Sequence, residues 1–166
     1  MSNKYYLLFL LLLVVSCTPD KVDDQTAPQE GPLSITSPAF ENNGNIPERY
    51  TCNGKNINPP MEISGIPEGA KSLVLIMDDP DAPGSTWDHW IFWNLDPSIK
   101  EIKGGEMPNL PHGKNSWGRN DYGGPCPPNH EHRYFFKLYA LDTKLDLALG
   151  SSKQEVEKAF TGNILE

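Results

Sequence analysis

The chain has 166 residues, 37% of them apolar and 10% aromatic, a balance that builds a packed core and excludes a disordered chain. Lys and Arg number 14 against 22 Asp and Glu, a formal net charge of −8, so the basic footprint of a nucleic-acid binder is missing. With 14 Gly and 16 Pro, strands joined by fixed turns are favoured over long helices.

Residues 1–16 read as a secretory signal. Lys4 supplies the positive start, and Tyr5 to Val15 is an unbroken apolar run, shorter than the ~20 residues that span a bilayer. Val14-Val15-Ser16-Cys17 resembles a bacterial lipobox, with cleavage before Cys17 and a lipid on its sulfur. Residues 17–32 are polar, acidic and Pro-containing, which reads as a tether, and the folded domain is expected over 33–166. The expected location is the cell envelope, with the protein lipid-anchored to a bacterial membrane. Removal of Cys17 from the count leaves Cys52 and Cys126, an even pair in an exported chain, and a disulfide between them is expected. Two cysteines without a paired C-x-x-C argue against a structural zinc site.

Within the domain, Leu33-Ser34-Ile35 and Met61-Glu62-Ile63 alternate as short strands do. Leu73 to Met77 is continuously apolar, the pattern of a strand buried on both faces. His89 to Leu95 and Tyr134 to Leu141 complete the strand set, the last expected to be the longest. One helix is signalled: Ser152 and Glu155 fit a capping box, Val156, Ala159 and Phe160 share a face, and Gly162 stops it. The domain is therefore mainly β, with a short C-terminal helix and long ordered loops.

Two loops carry candidate chemistry. Asp78-Asp79-Pro80-Asp81-Ala82-Pro83 crowds acids on a turn that two prolines make rigid. Crowded carboxylates need N–H donors, a cation or a proton, and a lone Asp in such a turn commonly caps its own backbone. Tyr122-Gly123-Gly124-Pro125-Cys126-Pro127-Pro128 precedes His130-Glu131-His132-Arg133-Tyr134. His89 and His132 lie at the mouths of two strands and can converge with Asp79 if the strands share a sheet. The residues alone leave a small-anion pocket, a metal site, an acid/base pair and plain core packing open, in a chain without H-E-x-x-H or G-x-S-x-G.

Asp79-Pro80-Asp81-Ala82-Pro83, His89-Trp90 with Asn94, and Tyr122-Gly123-Gly124-Pro125-Cys126-Pro127-Pro128 with His132-Arg133-Tyr134 together resemble the phosphatidylethanolamine-binding protein family, in its bacterial Raf kinase inhibitor-like branch. Cys52-Asn53-Gly54-Lys55-Asn56-Ile57-Asn58-Pro59-Pro60 also resembles an early element of that branch. The resemblance implies a β-sandwich of a large and a small sheet, with the C-terminal helix bordering the pocket. It implies an anion pocket formed by Asp79, His89, His132 and Tyr134, with Cys126 contributing its backbone N–H. Asp81, Pro83, Tyr122, Gly124 and Arg133 would shape the loops, Arg133 through a carboxylate pair. Asn129-His130-Glu131 departs from the glycine-containing link usual there.

The function this implies is non-catalytic binding of a small phosphate- or carboxylate-containing ligand, such as a phospholipid head group, by an envelope lipoprotein without cofactor, metal or nucleic acid. The alternatives are an inhibitor or regulator of an envelope protease or other protein partner, and a hydrolase using the His pair. A homodimer stays open.

Overall fold

A computed structural model describes residues 31–166. The expected signal, Cys17 and the tether as far as residue 30 lie outside the described residues.

The strands are β1 (Ser34–Thr36), β2 (Met61–Ser64), β3 (Ser72–Asp79), β4 (Trp87–Leu95), β5 (Glu101–Ile102) and β6 (Phe135–Leu141), followed by one helix, α1 (Lys153–Phe160). They form two antiparallel three-stranded sheets, in the orders β1-β2-β5 and β4-β3-β6. The longest strand is β4, with nine residues against seven in β6, so the sequence expectation for β6 is corrected. Trp87 and Asp88 carry β4 two residues further back than the expected start at His89. Strand β5 has only two residues and no alternation to read.

All eight residues of β3 are buried, as its continuous apolar run requires of a central strand. On one face Leu73, Leu75 and Met77 pack with Trp90 and Phe92 of β4 and with Met61, Ile63 and Ile102 of the small sheet. On the other, Val74 and Ile76 pack with Ile91, Trp93 and the α1 residues Val156 and Phe160. Each such apolar side chain, fully buried, contributes roughly 1.5–3 kcal/mol.

The capping box that starts α1 is complete. Glu155 N–H donates to Ser152 Oγ at 3.3 Å, and Ser152 N–H donates to Glu155 Oε2 at 2.7 Å. Lys153 reaches Asp78 at 2.5 Å and Asp88 at 3.4 Å, which fixes the helix to the Val74–Ile76 side of the sheet. Asp79 points to the opposite side. The helix therefore does not border the site around Asp79, contrary to the expectation from resemblance, because its apolar stripe is buried on the far face.

The register of β4 against β3 slips at two places, between Leu73 and Leu75 and between Met77 and Asp78, and the second concerns His89. Met77 faces Trp90 and Asp78 faces Asp88, so His89 is the extra residue of a β-bulge. Strict alternation would place His89 with Ile91 and Trp93 beside α1. The bulge returns it to the face of Trp90 and Asp79, the kind of local re-aiming that bulges provide.

Candidate functional site

Strand β3 ends at Asp79, with β4 on one side and β6 on the other, so Asp79, His89 and the segment leading into β6 meet at one end of the large sheet. The two histidine-bearing segments flank β3.

Asp79 uses both carboxylate oxygens. Oδ1 accepts the Asp81 backbone N–H at 2.9 Å, the local cap common for Asp in a turn. Oδ2 accepts from His132 Nδ1 at 2.7 Å, with the two side chains 5% and 1% exposed. The capping reading and the site reading thus both hold, on separate oxygens. With Nδ1 committed, His132 Nε2 faces outward from the pair; it is buried and lacks a hydrogen-bond partner among the described residues.

His89 is treated in the same way. Its Nδ1 donates to the Gly123 carbonyl at 2.6 Å, and the Gly123 N–H donates back to the His89 carbonyl at 3.0 Å. Burial lowers the His89 pKa below the usual 6.5, although the Gly123 carbonyl and the Asp79 charge pull the other way. The ring is therefore neutral at pH 7, with its proton on Nδ1 and a lone pair on Nε2.

Tyr134 lies edge-on to His89, with ring centroids 5.2 Å apart. Its hydroxyl is buried and donates to no acceptor among the described residues, with the Cys126 backbone N–H near its oxygen. Burial pushes its pKa up to about 12; Asp79 adds to the shift, and the backbone N–H of Cys126 works against it. The Tyr134 hydroxyl is thus a standing donor in the working pH range.

The loops are held by specific contacts. Asp81 accepts from Arg133 at the backbone N–H (2.9 Å), Nε (2.8 Å) and Nη2 (2.6 Å). The Arg133 hydrogen bonds hold the Asp81 carboxyl well below the ordinary carboxylate range. Tyr122 is buried and donates its hydroxyl to the Tyr50 carbonyl at 2.8 Å. Gly124 N–H donates to Asn56 Oδ1 at 2.7 Å, and a Cβ on Gly124 would overlap the Tyr50 carbonyl. Cys52 and Cys126 form a disulfide with Cα atoms 5.4 Å apart, as expected. It joins the 48–56 loop to the segment that carries the Cys126 amide. Pro83 is exposed on the turn after Asp81.

His132 and Tyr134 also line a cavity of ≈ 890 Å³, with Phe40, Met61, Pro127 and Phe136. Asp79, His89 and Cys126 are not on its wall. Edge-on rings on His89, from Tyr134 and from Trp117 at 5.0 Å, leave that histidine only 2% exposed. Trp117, Asn56 and the His89 bulge were missed from sequence. Trp117 lies in a polar loop without periodicity, and a bulge has no composition signal. Among the described residues no group of three or more His, Cys, Asp or Glu side chains is placed to hold a metal ion.

The molecule is a two-sheet β domain with buried, open-ended polar groups at one end of its larger sheet. The chain belongs to the phosphatidylethanolamine-binding protein family, whose family model matches residues 36–166. A UPF0098 protein of Methanothermobacter thermautotrophicus is 47% identical over 139 residues, 80% of this chain and 92% of that one. The UPF0098 protein PH1269 of Pyrococcus horikoshii is 49% identical over 144 residues, 81% of this chain and 72% of that one. A crystal structure of the Chlamydia trachomatis phosphatidylethanolamine-binding protein homologue CT736 superposes with a TM-score of 0.78 at 40% identity, covering 81% of this chain and 91% of that one. The E. coli YbcL structure, described as a member of the mammalian family, gives 0.75 at 29% identity, covering 82% and 93%. Membership supports ligand binding in general.

Proposed function

We propose that the domain binds a small phosphate or carboxylate group between His89, His132, Tyr134 and the Cys126 amide, and that its role is binding without catalysis. One observation carries the reading. His132 Nε2 and Tyr134 Oη are buried polar atoms without partners among the described residues, beside a histidine whose own inner nitrogen is already committed. Buried polar atoms in native domains are normally satisfied, so two of them on the wall of one cavity are suited to bonds with a polar ligand.

The chemistry follows from the inner bonds. Each imidazole donates from Nδ1 to the protein, so Nε2 can donate to an anion only after the ring takes up a proton. Asp79 compensates the charge that His132 then carries. The Gly123 carbonyl plays the same part, more weakly, for His89. Tyr134 and the Cys126 amide donate without protonation. Anion binding is thus coupled to proton uptake.

Calorimetric titration of inorganic phosphate into the wild type and His132→Ala tests the reading. The variant is expected to lose about 1–3 kcal/mol of binding. Equal affinity in both rules the site out.

The anchored location belongs to the same proposal: a lipid on Cys17 would hold the domain to the cell envelope. Labelled fatty acid is expected on the wild type and absent from Cys17→Ala. A wild type that takes up no label contradicts the anchor.

A further inference from the structure

Trp117 is 41% exposed, yet its loop is built to hold it in one place. Asn115 is buried, and its Oδ1 accepts the backbone N–H groups of Trp117 at 3.1 Å and Arg119 at 3.0 Å. Its Nδ2 donates to the Asp121 carbonyl and to Asp121 Oδ1. Ser116 and Asp88 exchange two hydrogen bonds, Ser116 N–H to the Asp88 carbonyl and Asp88 N–H to Ser116 Oγ, which tie the loop to β4 one residue before His89.

The ring so placed stands edge-on to His89 at 5.0 Å and to Trp87 at 5.4 Å. It comes down on Gly123, where a Cβ would overlap it, and the Gly123 carbonyl is the acceptor of His89 Nδ1–H. The Arg119 guanidinium stands 5.7 Å from the ring centroid, its Nε bonded to Asp121 at 3.0 Å. Beneath lies the Trp87 indole N–H, buried and without a partner among the described residues. Folding alone gives no reason for such an arrangement. An exposed indole contributes little to the core, and the β4 tryptophans that do, Trp90 and Trp93, are fully buried.

We infer that Trp117 is a specificity-determining binding residue: its exposed ring forms the outer wall beside His89 and receives the organic group of a phosphate monoester whose phosphate occupies the anion site. The inference rests on the anion-binding reading and extends it, since it names an ester with an apolar or planar group over free phosphate. An aromatic ring packed edge-on or offset against indole gains affinity that free phosphate and a polar ester do not.

The test titrates inorganic phosphate, glycerol phosphate and phenyl phosphate into the wild type, Trp117→Ala and Trp117→Phe. The wild type is expected to prefer phenyl phosphate over inorganic phosphate by about tenfold, with quenching of indole emission on saturation. Trp117→Ala should lose the preference for phenyl phosphate over inorganic phosphate, whereas Trp117→Phe should keep most of it. A preference that survives in Trp117→Ala, or a wild type that binds inorganic and phenyl phosphate equally, overturns the role of Trp117 and leaves the anion site standing. A wild type that binds none of the three probes overturns the anion site, and this inference with it.

Discussion

Asp78 and Asp79 are neighbours on β3, both buried, and they point to opposite faces of the sheet. Asp78 Oδ2 takes two ammonium groups, Lys137 at 2.6 Å and Lys153 at 2.5 Å. Its Oδ1 is left over, but the charge is more than matched. Among the described residues Asp79 meets no ammonium group; its partners are a backbone N–H and the imidazole of His132, whose far nitrogen is open. The same side chain, one residue along, is framework on one face and part of the proposed anion site on the other. The difference lies in the partner. A lysine closes the account of a buried charge, whereas a histidine passes it on, because protonation at one nitrogen and donation from the other are linked.

The largest expected effect is on the side of Asp79. The disulfide closes a sequence separation of 74 residues and anchors the segment bearing the Cys126 amide. Replacement of both Cys52 and Cys126 by Ser should cost about 4 kcal/mol of stability in the chain-entropy account, read by urea unfolding. It should also weaken phosphate binding, because it loosens one wall of the site. Unchanged affinity in the double variant would separate the disulfide from the site.

The two aspartates themselves come next. Asp78→Ala leaves Lys153 without its main partner and should cost about 3 kcal/mol of stability, with phosphate affinity unchanged. Asp79→Asn keeps an acceptor for the Asp81 N–H and removes the charge that supports a protonated His132. It should cost less stability than Asp78→Ala and weaken phosphate binding by about 1.5–3 kcal/mol. Reversal of these two patterns would break the comparison.

The pH dependence is the smallest effect, and its sign is fixed. Burial lowers the pKa values of His89 and His112 below 6.5 in the folded chain. Between the folded values and 6.5 the unfolded chain binds more protons, so stability is complete above 6.5 and declines as pH falls below it. Phosphate should reverse part of this decline, since an anion at His89 favours the imidazolium. Thermal unfolding at pH 7 and pH 5, with and without phosphate, reads both. A melting temperature that phosphate raises equally at the two pH values would contradict proton-coupled binding.

Much of this was legible in the sequence. Leu73 to Met77 gave a doubly buried central strand because no polar position interrupts it, and Ser152 with Glu155 gave the helix start because the capping box is a local motif. The loops DPDAP and YGGPCPP with HRY pointed to Asp79, His132 and Tyr134, and a carboxylate pair for Arg133 followed from resemblance, though not that its partner is Asp81. What stayed hidden depended on tertiary pairing. The bulge at His89 exists only in the register of two strands. The placement of α1 on the face away from Asp79 depends on Lys153 meeting Asp78 and Asp88, residues far apart in the chain. Trp117 gains its meaning from Gly123 and His89, which nothing near it in sequence indicates.

The central claim is that an anion is held at the outer nitrogens of His89 and His132, and ring-nitrogen NMR tests it most directly. The chain has four histidines, and His112, which packs on Phe92 away from His132, serves as the internal reference. On titration with inorganic phosphate at pH 6.5, the Nε2 signals of His89 and His132 should move to imidazolium positions, while that of His112 stays in place. Phosphate that binds while His89 and His132 remain unchanged would contradict the account.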